Sequence, residues 1–296
     1  MMVKLRGCGT ALVTPFLADG SIDEPALRSL VKWQIESGID FLVPCGTTGE
    51  TPTLSHDEWR KVIETTIEVS AGRVPIVAGA SSNATADAVQ KAAEVSRIPG
   101  VDAILTASPY YNKPTQEGQY LHFKAIAEVA TKPLVIYNVP GRTSVNLEPD
   151  TLLRLSALPN VAAVKEASGV IGQIARICGL LPASFTVLSG DDALTLPVIS
   201  VGGVGVISVA SNVFPKEMTA LTRAALDNDW EAARCRFHKY HPLIQALFIE
   251  SNPLPAKAVL AMMGRIEENY RLPLCPMQPA LRAKLEAVAR EAGVIK

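Results

Sequence analysis

The chain has 296 residues, enough for one large barrel or two ordinary domains, and its 48% hydrophobic and 19% charged content argues against disorder and for a sizeable core. Twenty-eight Lys and Arg against 29 Asp and Glu leave a net charge of -1, with no long basic run to give a nucleic-acid footprint, so polyanionic partners are disfavoured. The five cysteines, Cys8, Cys45, Cys178, Cys235 and Cys275, form no C-x-x-C pair and no metal-ligand cluster, and read as reduced, mostly buried thiols of a cytoplasmic protein.

In chain order, the opening Met1-Met2-Val3-Lys4-Leu5-Arg6-Gly7 lacks an apolar core of signal-peptide length. Short β-branched runs then alternate with amphipathic stretches, the signature of βα units around a parallel sheet. Strands are expected at 10–16, 41–45, 75–79, 103–107, 134–137, 161–165, 185–189 and 205–209. Helices are expected at 24–37, 56–70, 84–97, 116–130, 149–157, 171–180, 193–201 and 216–226. Ser55 ahead of Asp57-Glu58, and Asn83 ahead of Ala84-Thr85-Ala86-Asp87, are start signals; Gly38 and Gly72 follow helix ends. The uncharged run 193–215 is interrupted by Pro197, glycines and Asn212, unlike a membrane span.

Eight βα units in residues 1–226 predict an α/β chain folded as a closed (β/α)8 TIM barrel. A doubly wound sheet is the alternative, but it needs a glycine-rich turn after the first strand, where this chain has Thr14-Pro15-Phe16. Residues 227–296 are alanine-rich and punctuated by Pro253, Pro255, Pro273, Pro276 and Pro279, and are expected to form a C-terminal helical region.

Barrel enzymes carry reacting groups on the loops after their strands. The sixth strand ends in Lys165, which closes the apolar run Val161-Ala162-Ala163-Val164. An ordinary lysine is neutral in only about one copy in 2,500 at pH 7, and only the neutral amine attacks a carbonyl; burial disfavours the ammonium and is the usual route to a Schiff-base lysine. The plainer alternative is a strand-closing lysine paired with Glu166 in solvent. Other loops carry Gly46-Thr47-Thr48-Gly49-Glu50, Tyr110-Tyr111-Asn112, Tyr137-Asn138-Val139-Pro140-Gly141-Arg142-Thr143, Ser189-Gly190-Asp191-Asp192 and Ile207-Ser208. Taken singly, these read as a glycine turn, packed tyrosines, a solvated arginine and a helix cap, the last being commoner for paired aspartates than a metal site. Together, an amine, phenols, a threonine hydroxyl and a guanidinium without metal ligands or a cofactor motif suit iminium chemistry on a keto acid, with no cofactor.

These residues, in this order and over nearly the whole chain, resemble the Schiff-base aldolase family that includes dihydrodipicolinate synthase and N-acetylneuraminate lyase. Gly46-Thr47-Thr48-Gly49-Glu50, Tyr137-Asn138-Val139-Pro140 and Val164-Lys165-Glu166-Ala167 look like its motifs, and Asn252-Pro253-Leu254-Pro255-Ala256-Lys257 is similar too. Pro140-Gly141-Arg142-Thr143 and Tyr110-Tyr111-Asn112-Lys113-Pro114 resemble the synthase branch. The resemblance implies that Lys165 condenses with pyruvate, that Thr47 and Thr48 hold the pyruvate carboxylate, and that Tyr137 moves protons through Thr47 and Tyr111. It implies that Arg142 holds the carboxylate of aspartate semialdehyde and that Gly190 and Ile207 line the pyruvate pocket. It also implies that Tyr111 reaches into a partner subunit's site, within a homotetramer built as a dimer of dimers.

A lysine feedback site at a dimer interface would correspond to Thr51, His56, Trp59, Asn83, Asp87 and Tyr110. Asp87 is shorter than the glutamate usual there, and Trp59 stands where bacterial relatives commonly have histidine; two capped helices are the competing reading. Two other functions compete with the synthase: a related aldolase acting on a sugar-derived keto acid, and a non-catalytic keto-acid sensor.

Overall fold

The computed structural model describes residues 5–296; residues 1–4, the start of the segment read for a signal peptide, lie outside the described residues. In chain order the elements are β1 (Gly7–Ala11), α1 (Glu24–Glu36), β2 (Phe41–Val43), α2 (His56–Ser70), β3 (Val77–Gly79), α3 (Thr85–Val95), β4 (Ala103–Ala107), α4 (Gln116–Val129), β5 (Leu134–Asn138), the short α5 (Pro140–Thr143), α6 (Pro149–Ser156), β6 (Val161–Glu166), α7 (Ile171–Leu180), β7 (Thr186–Ser189), α8 (Thr195–Ser200), β8 (Gly205–Ser208), α9 (Pro215–Leu226), α10 (Trp230–Ala246), α11 (Leu254–Met262) and α12 (Pro279–Glu291). The strands form one eight-stranded sheet in the order β2-β1-β8-β7-β6-β5-β4-β3. The described strand pairings are parallel. With a helix after each strand, this is the nearly closed (β/α)8 barrel expected from the alternation.

The sequence shows why. β4 and β5 are buried along their whole length, and β6 along nearly all of it. Strands covered on both faces read as continuous apolar runs, and these do. At α2, the Ser55 hydroxyl accepts the Glu58 amide and the Glu58 carboxylate accepts the Ser55 amide, a reciprocal cap that fixes the helix start at His56. Among the described residues no helix is long and apolar enough to cross a membrane.

Several expected elements are shorter, 41–45 being Phe41–Val43, 75–79 Val77–Gly79 and 193–201 Thr195–Ser200, and two starts are corrected. The first strand covers Gly7–Ala11 rather than 10–16. A side chain at Gly9 would put its Cβ 2.0 Å from Phe41 Cε2, so the ring of Phe41 occupies that space and a poor strand former is required in mid-strand. Beyond Ala11 the chain turns back, with Phe16 bridged to Ile22 and the Leu17 amide donating to the Ser21 carbonyl. The third helix starts at Thr85 without a cap from Asn83; instead the Ser82 hydroxyl accepts the Ala84 amide at 3.2 Å.

The chain divides into two compact units. One is Pro75–Ile207 with the described residues up to Gly7. In it, register sets Ala107 beside Tyr137, Tyr137 beside Lys165, and Lys165 beside Leu188. The other unit is Cys8–Val74 with Ser208–Lys296. There Thr10 donates its hydroxyl to Gln34 Oε1 at 2.6 Å, Gln34 Nε2 donates to the Ser211 carbonyl at 2.8 Å, and Asn212 Nδ2 donates to the Ala11 carbonyl at 2.7 Å. Buried side chains thus satisfy backbone groups far apart in sequence.

Candidate active site

Lys165 follows four small or branched apolar residues on β6, so the strand carries it inward rather than out to solvent. Residues abreast on parallel strands share a face. The Lys165 side chain accordingly meets Tyr137, with Nζ 4.1 Å from the centroid of the phenol ring, and Lys165 as a whole is only 5% exposed. Burial lowers the amine, the Asp192 carboxylate opposes the shift and the Arg142 guanidinium adds to it, leaving a pKa of about 7. About half of the copies are then neutral at pH 7, three orders of magnitude more than for an ordinary lysine. Solvent pairing with Glu166 does not occur: Glu166 is itself buried and bonded to Asn138.

Gly190 makes the lysine's position possible. A Cβ at Gly190 would lie 2.8 Å from the Ala167 Cβ, 3.0 Å from Lys165 Cγ and 3.1 Å from Lys165 Cε. Any side chain there would push the lysine stem aside.

Tyr137 is 6% exposed. Burial pushes its phenol up to about 12, with the Arg142 charge opposing and Asp191 assisting. The resting phenol therefore keeps its proton and can act as a donor. Arg142 lies exposed on α5, and its charge reaches both Lys165 and Tyr137. Asp191 caps a short 3-10 turn, Asp192–Leu194, its Oδ1 accepting the Ala193 amide at 2.9 Å, rather than the helix expected there, since α8 starts at Thr195 without a side-chain cap. Ile207 is fully buried on β8. Among the described residues no group of three or more His, Cys, Asp or Glu could hold a metal ion.

In the other unit, Thr47–Gly49 forms a single 3-10 turn, with Thr48 buried and Glu50 in the left-handed region at φ 53°. Asn252 Nδ2 donates to Thr48 Oγ1 at 2.9 Å, and Lys257 Nζ stands 2.6 Å from Glu50 Oε1 with neither side chain exposed. The Gly46–Glu50 and Asn252–Lys257 motifs are thereby one assembly. Removing a single partner of such a buried pair costs about 3–5 kcal/mol, because it strands the other charge away from water. Each motif was readable in the sequence; their pairing across 207 positions was not. The Asn138–Glu166 contact likewise gave no linear signal beyond polar residues immediately following Tyr137 and Lys165.

Tyr110 is 37% exposed and Tyr111 is 88% exposed, the latter held at φ 74°. A bulky residue in that region is strained, and such strain concentrates where function demands it. Of the residues matched to a feedback site, Thr51, His56 and Trp59 lie in the Cys8–Val74 part of one unit, and Asn83, Asp87 and Tyr110 in the other unit. The His56 and Trp59 rings are 5.7 Å apart, and Asn112 Nδ2 donates to the Asn83 carbonyl at 2.9 Å.

Known proteins carry the same architecture. Residues 4–292 match the model of the Dihydrodipicolinate synthetase family. The 4-hydroxy-tetrahydrodipicolinate synthase of Koribacter versatilis (strain Ellin345) is 71% identical over 294 residues, covering 99% of this chain and 98% of that protein. Among solved structures, dihydrodipicolinate synthase from Aquifex aeolicus superposes with a TM-score of 0.95 at 44% identity, over 98% of this chain and 99% of that one. A dihydrodipicolinate synthase variant described as monomeric superposes with a TM-score of 0.96 at 42% identity, over 98% of each chain. A buried strand-end amine stacked on a phenol, in a barrel matched from end to end at this identity, leaves no second assignment: the chain belongs to the dihydrodipicolinate synthetase family.

Proposed function

We propose that the chain is a lyase that catalyses the aldol condensation of pyruvate with L-aspartate 4-semialdehyde to 4-hydroxy-tetrahydrodipicolinate, a step of lysine and diaminopimelate biosynthesis, through a Schiff base on Lys165. The observation that carries this reading is the buried Lys165 amine, lowered to about 7 and set 4.1 Å from the Tyr137 ring. The name of the Koribacter versatilis relative supports the choice of substrates.

Neutral Lys165 attacks C2 of pyruvate, and the resulting carbinolamine loses water to give an iminium. Tyr137, still protonated, donates the proton that the departing hydroxyl needs. The iminium nitrogen draws electrons from the adjacent bond, so C3 loses a proton and becomes an enamine nucleophile. The enamine attacks the aldehyde carbon of the semialdehyde; the substrate's own amine then displaces Lys165 as the ring closes. Thr47 and Thr48 are assigned the pyruvate carboxylate, Gly190 and Ile207 the walls around pyruvate, and Arg142 the carboxylate of the semialdehyde. An exposed, strained Tyr111 fits a side chain that completes the proton relay in a second copy, within a homotetramer of two dimers.

Arg142 separates this reading from its nearest rival, an aldolase acting on a sugar-derived keto acid. A charge-assisted bond to a carboxylate contributes about 1.5–3 kcal/mol. Arg142→Ala is therefore expected to lower kcat/KM for aspartate semialdehyde roughly 10- to 100-fold while the KM for pyruvate changes little, measured in a coupled assay with both substrates. Loss of pyruvate affinity instead, or cleavage of a keto-deoxy sugar acid without condensation of pyruvate and the semialdehyde, would contradict the assignment.

A further inference from the structure

Behind the reactive pair stands a second pair. Asn138 and Glu166 follow Tyr137 and Lys165 on β5 and β6, so alternation turns them to the opposite face, where they are again abreast. They are 0% and 1% exposed. Asn138 Nδ2 donates to Glu166 Oε2 at 3.0 Å and Oε1 at 3.3 Å, and to Asn146 Oδ1 at 2.9 Å. Asn138 Oδ1 accepts the Leu147 amide at 2.9 Å, so one carboxamide grips both the neighbouring strand and the far end of the loop that bears Arg142. Glu166 Oε1 also accepts the Ser168 amide at 2.7 Å, immediately after the strand. Gln173 on α7 exchanges bonds with Asn146 at 2.8 and 3.1 Å, closing the set.

Water is excluded here, and a buried carboxamide facing a carboxylate has a directional requirement that apolar packing would not impose. A sideways shift of β5 against β6 stretches this bond and displaces Tyr137 from Lys165 by the same amount, because each pair lies one residue from the other on stiff strands. We propose that Asn138 and Glu166 are positioning residues for the Schiff-base reaction: their bond locks the register that sets Tyr137 over the Lys165 amine, and through Leu147 it holds the Arg142 loop. The inference rests on the Schiff-base reading of Lys165.

Asn138→Asp keeps the shape and changes the chemistry. Two carboxyls about 3 Å apart share one proton, so the clamp survives at low pH and opens by repulsion once that proton leaves. Burial already pushes the Glu166 carboxyl up, against the donors Ser168 and Asn138. Cys178 on α7 is the titratable group in its field, and Ser189, abreast on β7, spends its hydroxyl on the Asp191 carbonyl. The reversed pair Asn138→Asp with Glu166→Gln restores one donor facing one carboxylate.

The test measures the rate of pyruvate trapping at Lys165 by borohydride, together with kcat and the KM for pyruvate, from about pH 6 to about pH 9. The ratio of the Asn138→Asp rate to the unsubstituted rate is expected to fall about tenfold or more across that range, with pyruvate KM changed less than about threefold, and the reversed pair is expected to return a flat ratio. A flat ratio for Asn138→Asp overturns the clamp while leaving the Schiff base standing. A reversed pair that folds but stays slow at every pH overturns it too, and serves as the test if Asn138→Asp alone does not fold. Absence of any adduct in the unsubstituted protein overturns the Schiff-base reading and the clamp with it.

Discussion

Lys165→Ala is expected to lower kcat for condensation by about 10⁴-fold or more, the scale seen when a covalent nucleophile is removed. Among the described residues the other deeply buried amine is Lys257, and it is held in an ion pair with Glu50. The fold should persist, because an ammonium at this position is opposed by its own burial and the substitution removes that cost. Circular dichroism and thermal melting of the variant check this alongside the assay. The same buried amine sets a pH dependence in the unsubstituted protein. The reactive form is the deprotonated one and the amine's pKa is about 7, so imine formation should rise with pH until about 7 and level off above it. An ordinary lysine would keep gaining reactivity up to its usual range near 10. A trapping rate that climbed steadily past pH 9 would contradict the shift.

Tyr137→Phe carries the second largest effect. It removes one oxygen and keeps the ring 4.1 Å from the amine, so shape and the cation–ring contact are conserved while the proposed proton donor is lost. Positioned proton transfer contributes roughly 10²- to 10⁴-fold, and kcat should fall by about that factor with pyruvate binding little altered. The phenol, at about 12, is a weak acid on its own. Its competence depends on the cationic iminium forming beside it, which stabilises the phenolate left after donation. Equal losses in kcat and in pyruvate affinity would show that the hydroxyl holds substrate rather than moving a proton.

Much of the barrel was legible because hydrophobic periodicity and caps are local. The bounds of α2 and α7 fall at the expected residues 56–70 and 171–180, and β4 at 103–107. β1 was misplaced because the reason for Gly9 in mid-strand is the ring of Phe41, a residue 32 positions further along, and propensity alone argues against a strand there. The candidate site divides in the same way. A lysine closing an apolar run is visible in one dimension, as are Tyr137 and the Thr47-Thr48 turn. That Tyr137 stands abreast of Lys165, with Asn138 and Glu166 abreast behind them, depends on strand register, which β5 and β6 set by pairing across two intervening helices, α5 and α6. The Lys257–Glu50 pair was hidden for the same physical reason: long-range electrostatic partners leave no periodic trace.

The proposed Schiff-base reaction requires a sheltered, partly neutral Lys165 to become bonded to C2 of pyruvate. Borohydride reduction in the presence of pyruvate, followed by peptide mass mapping, tests it most directly. One added pyruvate-derived group is expected on the peptide containing Lys165, formed with a pH midpoint near 7. An unmodified Lys165 peptide after reduction, in protein that is folded and exposed to saturating pyruvate, would contradict it.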